Sequence, residues 1–247
     1  MSEEAARSQR SNTLSRWIWL TSLVVASAAL VATLHAVPYI PTNDGPQAVL
    51  MAFIENHYSD PGVVFPEQVE PAWQFAHRGF SFLFLPLEAL FGWKAALRLT
   101  ISFIALTTAW GAAALTIAVE PARRYWGLAG FGIALGWHLY MGFFSFEWAT
   151  GIGLLILAAV VAGKDHSRLG GPAVAAALGF QAVCHVSAAS LTGILLILIV
   201  AFRAPRGAVV RELRRLALIG APALLVLVGL VIQHDEHVRI PFTTQFV

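Results

Sequence analysis

The sequence predicts an all-α protein, a polytopic bundle of transmembrane helices with about seven spans and one or two interfacial helices. Hydrophobic residues make up 57% of the 247-residue chain and charged residues only 12%, and the mean hydropathy is +0.69. These values lie outside the range of soluble globular proteins. The long apolar runs lack the alternation of a membrane β-barrel, so helices remain as the way to satisfy the backbone in lipid.

The first predicted span is 17–37, and it follows a polar N-terminal tail, residues 1–16. Arg7, Arg10 and Arg16 precede this run and no cation closely follows it. By the positive-inside rule this places the N-terminus in the cytoplasm. The run is longer than the apolar region of a cleavable signal peptide, which favours a retained anchor. We therefore expect an integral protein of a bacterial-type inner or plasma membrane, with the bilayer as its solvent.

The first predicted outer loop is the polar segment 38–94. Asp44, followed by Gly45 and Pro46, opens a stretch, 47–58, whose apolar residues recur at helical spacing. This spacing predicts a short amphipathic helix that begins near Asp44.

The apolar run 75–93, at the end of this loop, poses the main question of topology. It contains four residues that disfavour a membrane span: His77, Arg78, Pro86 and Glu88. Because an ionised group at the bilayer centre is costly, we expect 75–93 to lie as an interfacial helix on the outer leaflet. Trp73 and Trp93 would then sit at headgroup level.

The remaining apolar runs predict spans at 95–119, 125–144 and 149–163, two arms of a hairpin within 171–202, and a last span at 213–232. Both flanks of 171–202 are basic, so an even number of crossings should separate them. Its turn, near 181–187, carries His185 and is expected below the outer surface, facing a cavity. Together with the first span these segments make up the transmembrane module, residues 17–232. We expect 203–215 to be a basic cytoplasmic loop and 233–247 to begin another outer loop.

On this topology several polar residues gather on the outer side. Asp44 stands at a turn where backbone N–H groups can orient its carboxylate, although Asp is also common as a simple N-cap. Glu147 interrupts an aromatic run at a predicted membrane boundary and is either functional or merely exposed at the end of a span. His138 and His185 are cavity candidates, or else core histidines with satisfied hydrogen bonds.

Oxygen and nitrogen ligands for a metal ion occur at Asp44, Glu147, His234, Asp235 and His237. Carboxylates dominate and Cys184 is the only cysteine, so Mg²⁺ or Mn²⁺ fits this set better than zinc.

Arg78, Lys94 and Arg98 are placed to bind a lipid phosphate on the outer leaflet, or else to reach the headgroups by snorkelling. The other arginines lie in short loops beside spans. Topology explains them better than a nucleic-acid partner does.

The layout resembles the GT-C superfamily, integral-membrane glycosyltransferases that use polyprenyl-phosphate-linked sugars. The resemblance lies in one span, an outer loop bearing Asp44, the entry Gly92–Leu99 into the second span, Glu147 after the third span and the hairpin at His185. It implies transfer of a sugar from a lipid carrier to an acceptor on the outer face. Asp44 would act as a general base or metal contact, with Glu147 as its second-loop counterpart.

Members of that family continue with a long outer loop and further spans or a soluble domain, so we expect this chain to be an N-terminal module or a truncated form. The alternative is a non-catalytic membrane protein, either a transporter-like bundle or a subunit of a second polytopic chain. The subunit alternative predicts an exposed groove of small residues along 220–229 or 105–114.

Overall fold

The computed structural model describes residues 3–37, 40–61, 77–205 and 207–237, with side chains from Ser15 to Gly229 and at Ile232 outside the gaps. Throughout these ranges the regular elements are helices, so the predicted all-α class is confirmed for them. They are α1 (Glu3–Ala36), α2 (Gly45–His57), α3 (Gly79–Phe91), α4 (Trp93–Val119), α5 (Ala129–Ile133), α6 (Trp137–Met141), α7 (Phe144–Val161), α8 (Gly170–Cys184), α9 (Val186–Arg203) and α10 (Val209–His237), with short 3₁₀ helices at Pro121–Leu128 and Lys164–His166.

Four helices of the described part are long and apolar enough to cross a membrane: the segment Ser15–Ala36 of α1, together with α4, α7 and α9. This composition is compatible with an integral membrane protein. The helices α3 and α8 are apolar but shorter, with 13 and 15 residues.

The parallel pair α4 and α7 forms the centre of the bundle. The Thr108 hydroxyl donates to the Glu147 carbonyl at 3.1 Å, and one turn further along, Gly111 meets the backbone of Gly151. Residue numbers rise in the same direction on both helices, so the chain between them must return along the length of α4. Gly111 and Gly151 at the second contact let the two backbones approach closely.

The returning segment is where the sequence prediction of one continuous span at 125–144 is wrong. The structure divides it into the 3₁₀ helix Pro121–Leu128 and the short helices α5 and α6. Gly127 and Gly130 press onto α4, where a Cβ would lie 2.8 Å from Ala113 Cα and 2.7 Å from the side chain of Ala112. Glycine favours such close approach but is a weak helix former, and the segment holds several glycines.

The predicted hairpin within 171–202 is confirmed as two helices, α8 and α9, separated at His185. This residue is extended, with φ −165° and ψ 115°. The buried Gln181 donates to the Ala149 carbonyl at 2.9 Å and to the Thr192 hydroxyl at 2.8 Å. One side chain thereby ties both arms of the hairpin to α7.

Three predicted loops or tails are helical instead. Helix α1 begins at Glu3, inside the predicted tail 1–16, and α10 covers much of the predicted loop 203–215 and extends into 233–247 as far as His237. Charged residues such as Arg and Glu are good helix formers, so these stretches continue the helices beside them. Arg215 also holds α10 in place through an ion pair of 2.6 Å with the buried Asp165.

The contacts define two ends of the bundle. The basic end contains Ser15, the loop after α7 and the start of α10. The site end contains the end of α1, helices α2 and α3, the start of α4, the junction of α6 and α7, and the α8–α9 turn. The chain divides at Gly92 (φ +74°) into α3 and α4, so 75–93 does not continue into the next helix. Its placement at the membrane interface stays a prediction.

Candidate functional site

Helix α2, from the first predicted loop, is docked on the junction between α6 and α7. The backbone N–H of Asn43 donates to the Tyr140 carbonyl at 3.1 Å, and that of Asp44 donates to the Met141 carbonyl at 2.9 Å. Gly142 (φ +81°) lies so close to the backbone of Gly45 that a side chain there would collide with it. The sequence positions that carry the two predicted acids are thus brought to the same end of the bundle.

Asp44 occupies the N-cap position of α2, but its side chain caps nothing. Its φ of −97° and ψ of −2° are helical, whereas a capping residue normally has extended angles. Its Oδ1 accepts a hydrogen bond from the side-chain amide of Asn43 at 2.8 Å. The expectation that backbone N–H groups orient this carboxylate is therefore wrong, and the half-buried Asp44 is held by its neighbour instead.

Glu147 lies in the first turn of α7 and is only 3% exposed. Simple exposure at the end of a span, the bland alternative for this residue, is wrong. Its Oε1 has no hydrogen-bond partner among the described residues, and its Oε2 lies 3.7 Å from His138 Nδ1. A buried polar atom without a partner is costly, so Oε1 keeps the capacity to accept a further hydrogen bond.

Beside this pair is a pocket of about 420 Å³, which we call the histidine pocket. It is lined by Ala48, His77, Phe80, His138, Gly142, Phe143, Phe144, Ser145, Phe146, His185 and Ser187. The rings of His77 and His185 meet edge to face at 4.3 Å, and His185 Nδ1 is buried without a partner in the described part of the chain. Both predicted cavity histidines, His138 and His185, therefore line one pocket.

The sequence marks His77 only as a residue that disfavours a membrane span, but in the structure it also lines this pocket. It has φ +62°, which is uncommon for a residue other than glycine. Its carbonyl accepts a hydrogen bond from Ser145 Oγ at 2.9 Å. Nothing in the sequence signals a left-handed backbone at a histidine, so only the fold could reveal it. Burial lowers the pKa of His77 from its ordinary value of 6.5, which keeps its imidazole neutral at pH 7.

A second pocket, of about 620 Å³, lies on the other side of Phe144. We call it the apolar groove, and it is lined by Ile40, Pro41, Thr42, Gly45, Pro46, Val49, Leu50, Phe53, Trp93, Leu97, Ile101 and Phe144. One face of α2 thus covers the start of α4. The groove continues into a smaller pocket of about 190 Å³, which shares Ile40, Trp93 and Leu97 with it and also contains Lys94 and Arg98.

The three predicted phosphate-binding cations lie in two different places in the structure. Lys94 and Arg98 are one helical turn apart at the end of the groove, and the Lys94 ammonium lies 5.5 Å from the centre of the Trp93 ring. Arg78 instead forms an ion pair with Glu55 of α2, and its backbone N–H donates to the Val183 carbonyl at 3.3 Å. Arg78 thus connects three elements of the site end.

A polar cluster that the sequence did not predict fixes the C-terminal end of α2. The buried Glu88 of α3 accepts hydrogen bonds from Asn56 Nδ2 and, at 2.9 Å, from His57 Nε2. His57 Nδ1 lies 2.5 Å from Asp60. The hydrogen bond to Glu88, followed by that to Asp60, raises the pKa of His57 above its ordinary 6.5.

The predicted metal ligands are not assembled into one set by the described residues, which bring together no group of three or more His, Cys, Asp or Glu side chains suited to a metal ion. His234, Asp235 and His237 fall in the last turns of α10, and their side chains lie outside the described residues. Mg²⁺ often needs only one or two carboxylates when substrate phosphates supply the other ligands. The half-buried Asp44 fits such a contact.

Comparison with family models, with curated proteins and with solved structures finds no match for this chain.

Proposed function

We propose that this chain is a GT-C-like membrane glycosyltransferase, or the N-terminal module of one, that transfers a sugar from a polyprenyl-phosphate carrier to an acceptor hydroxyl on the outer face. The observation that carries the proposal is the pair of adjoining pockets of opposite character. Phe144 lines both of them, and the backbone of Asp44 lies where Gly142 of the histidine pocket approaches Gly45 of the apolar groove.

The apolar groove suits a lipid carrier. Its walls are almost entirely aliphatic and aromatic, and its volume of about 620 Å³ lies in the range typical of ligand pockets. Where the groove meets the smaller pocket, at Trp93 and Leu97, Lys94 and Arg98 offer positive charge to a phosphate. A polyprenyl phosphate has the same order of parts, a long apolar chain that ends in an anion.

The histidine pocket suits the sugar or its acceptor. Imidazoles and hydroxyls that can both donate and accept hydrogen bonds stand there among four phenylalanine rings. No Lys or Arg is among its described lining residues, so the pocket favours a neutral, hydroxyl-rich ring over an anionic one.

Asp44 at the junction has two roles open to it. It can take the proton of the acceptor hydroxyl as a general base, or it can hold Mg²⁺ or Mn²⁺ against the phosphate. When bound, such a cation would accept the negative charge that develops on the leaving phosphate. Either role requires the carboxylate, and both place it beside the bond that breaks.

The proposal includes a topology. Helix α1, α4, the returning segment 121–143, α7, α8, α9 and α10 would cross the bilayer, with the basic end and the N-terminus in the cytoplasm. The clustering of Lys164, Arg168, Arg203, Arg211 and Arg214 on surfaces at the basic end supports this orientation. The site end, with both pockets, would then face outward.

The direct test is a transfer assay on the purified chain in lipid nanodiscs. The donors are undecaprenyl-phosphate-linked radiolabelled glucose and mannose, the acceptors are octyl glycosides, and MgCl₂ or MnCl₂ is present. We expect a labelled disaccharide product, its loss in Asp44→Asn, and a raised KM for the donor in Lys94→Gln/Arg98→Gln. The matched control is Lys164→Gln/Arg168→Gln at the basic end, which should behave as the wild type. No transfer together with unchanged undecaprenyl-phosphate binding by Lys94→Gln/Arg98→Gln would reject the proposal.

One specific observation favours the alternative that this chain is a non-catalytic subunit of a second polytopic protein. The predicted groove at 105–114 is not exposed, because Ala105, Ala109 and Ala113 are buried inside the bundle. On α10, however, a Cβ at Gly220 or Gly229 would meet only open space. This alternative expects a second polytopic chain to co-purify and to be lost on Gly220→Leu, whereas a solitary, active preparation would count against it.

A further inference from the structure

Glu147 and His138 differ in how far their side chains are exposed to the histidine pocket. Glu147 is 3% exposed and is absent from the linings of the described pockets, whereas the His138 side chain is 48% exposed and lines the histidine pocket. A molecule bound in that pocket meets the imidazole, and the carboxylate lies behind it. Glu147 therefore has no direct path to a substrate in this structure, although the sequence points to it as a catalytic acid.

The backbone fixes the two groups relative to one another. The N–H of Phe143 donates to the His138 carbonyl at 3.0 Å, and the N–H of Glu147 donates to the Phe143 carbonyl at 2.9 Å. The ring of Phe146 packs against the His138 ring, with 4.8 Å between the centroids. The imidazole is thus held between Phe146 and Glu147, with Nδ1 turned toward the carboxylate at 3.7 Å.

A carboxylate buried behind an imidazole has a known use. When the Nδ1–H is directed at the carboxylate, the other ring nitrogen, Nε2, keeps its lone pair for a substrate, and the carboxylate stabilises the imidazolium that forms when Nε2 takes a proton. The separation of 3.7 Å is longer than a normal hydrogen bond, as is common for catalytic pairs in the absence of substrate. The Thr108 side chain also interacts with this carboxylate, whereas Oε1 of Glu147 has no hydrogen-bond partner in the described chain.

We infer that His138 is the catalytic residue that receives the acceptor's proton, and that Glu147 is a positioning residue that acts through His138. The inference rests on the proposed function. In the step, the acceptor oxygen bonds to the anomeric carbon of the donor sugar while its proton passes to His138 Nε2. The bond between that carbon and the carrier's phosphate oxygen breaks, and the phosphate leaves with the electron pair. The proton then passes from His138 to solvent, and Asp44 is left for the cation.

A chemical labelling experiment tests the coupling without any sugar transfer. Diethyl pyrocarbonate acylates neutral imidazole nitrogens, and mass spectrometry gives the rate at each histidine of the nanodisc-embedded protein at pH 8. We expect Glu147→Gln to slow labelling of His138 at least threefold, because the neutral amide lacks the negative charge that holds Nδ1–H toward residue 147 and leaves the lone pair of Nε2 facing the pocket. His166, with a side chain 56% exposed at the basic end, is the internal reference, and Glu120→Gln is the matched control. Equal labelling of His138 in both variants would overturn the inference.

A transfer experiment tests the roles themselves. With the donors and octyl glycosides named above, His138→Gln should lower kcat by a factor of about 10²–10⁴, the usual contribution of general acid–base catalysis, with little change in the KM for the donor. Added imidazole should restore part of the kcat of His138→Gly, but not that of His138→Gly/Glu147→Gln. Full activity of His138→Gln would refute the assignment. Absence of transfer by the wild type would reject the proposed function, and the labelling result would still decide whether Glu147 acts through His138.

Discussion

Replacing Gly151 with alanine tests whether the close approach of α4 and α7 organises the fold. A Cβ at this position would lie 2.7 Å from the backbone nitrogen of Thr108 and 2.9 Å from the carbonyl carbon of Thr107. Both atoms belong to the backbone, so no side-chain rotation can relieve the contact and the helices must move apart. Such overpacking typically costs about 1–3 kcal/mol. Alanine recovers about 1 kcal/mol of helix propensity relative to glycine, so we expect a net loss of up to about 2 kcal/mol.

The control for this prediction is Gly193→Ala in α9. Its Cβ would meet nothing within 4 Å, so only the gain in helix propensity remains, about 1 kcal/mol at most. Unfolding of both variants and the wild type by sodium dodecyl sulfate in mixed micelles, followed by circular dichroism, gives the differences in the free energy of unfolding. If Gly151→Ala is as stable as Gly193→Ala, the reasoning about backbone contact between α4 and α7 is refuted.

Three further predictions concern polar contacts. The hydrogen bond to Glu88 raises the pKa of His57, so its protonated form stabilises the fold fully below pH 6.5. This contribution is lost as the pH rises through the higher pKa of the folded state. The difference in Tm between wild type and His57→Gln should therefore shrink between pH 6 and pH 9, and a constant difference would contradict this. Gln181→Leu removes the side chain that donates to the Ala149 carbonyl and the Thr192 hydroxyl. It should lower the free energy of unfolding by about 1–3 kcal/mol in the same micelle titration. No loss would show that these hydrogen bonds do not support the hairpin. Arg215→Met leaves the buried Asp165 without its arginine partner. It should lower the free energy of unfolding by about 3 kcal/mol, the lower end for such pairs because Arg215 is partly exposed. Adding Asp165→Asn should recover part of that loss, and strictly additive effects of the two substitutions would contradict the pairing.

Helix α2 and the α8–α9 hairpin illustrate what could be predicted locally. Gly45 and Pro46 precede an apolar repeat at helical spacing, and the helix begins there because these signals act within a few residues. The hairpin turn was predicted because a run as long as 171–202 with basic flanks must fold back on itself, and it does so at His185. Hydropathy and charge are properties of short windows of sequence, which is why these elements could be predicted from the sequence.

The segment 121–143 and the two acidic residues Asp44 and Glu147 illustrate what could not be predicted from the sequence. Its hydropathy resembles that of a span, but its glycines are needed where it lies against α4, and that contact is defined only by the packed bundle. The sequence indicated Asp44 and Glu147 as equivalent outer acids. In the structure Asp44 is bonded by Asn43, whereas Glu147 is buried behind His138. The sequence marked His77 and Glu88 only as residues that disfavour a span, and it gave no sign of the contacts that these two and His57 make, because the partners are distant in the chain or depend on an unusual backbone angle.

The sequence by itself determined the class of fold and the order of most helices, and its composition is compatible with an integral membrane protein. These properties were readable because the hydropathy and charge of each window depend little on the rest of the chain. The tertiary structure alone decided that Phe144 lines two pockets, that the backbone of Asp44 lies where Gly142 approaches Gly45, and that His138 is exposed while Glu147 is not. These features arise where α2, α4, α6, α7 and the α8–α9 turn converge. Burial and distance between residues far apart in sequence exist only once the helices have packed.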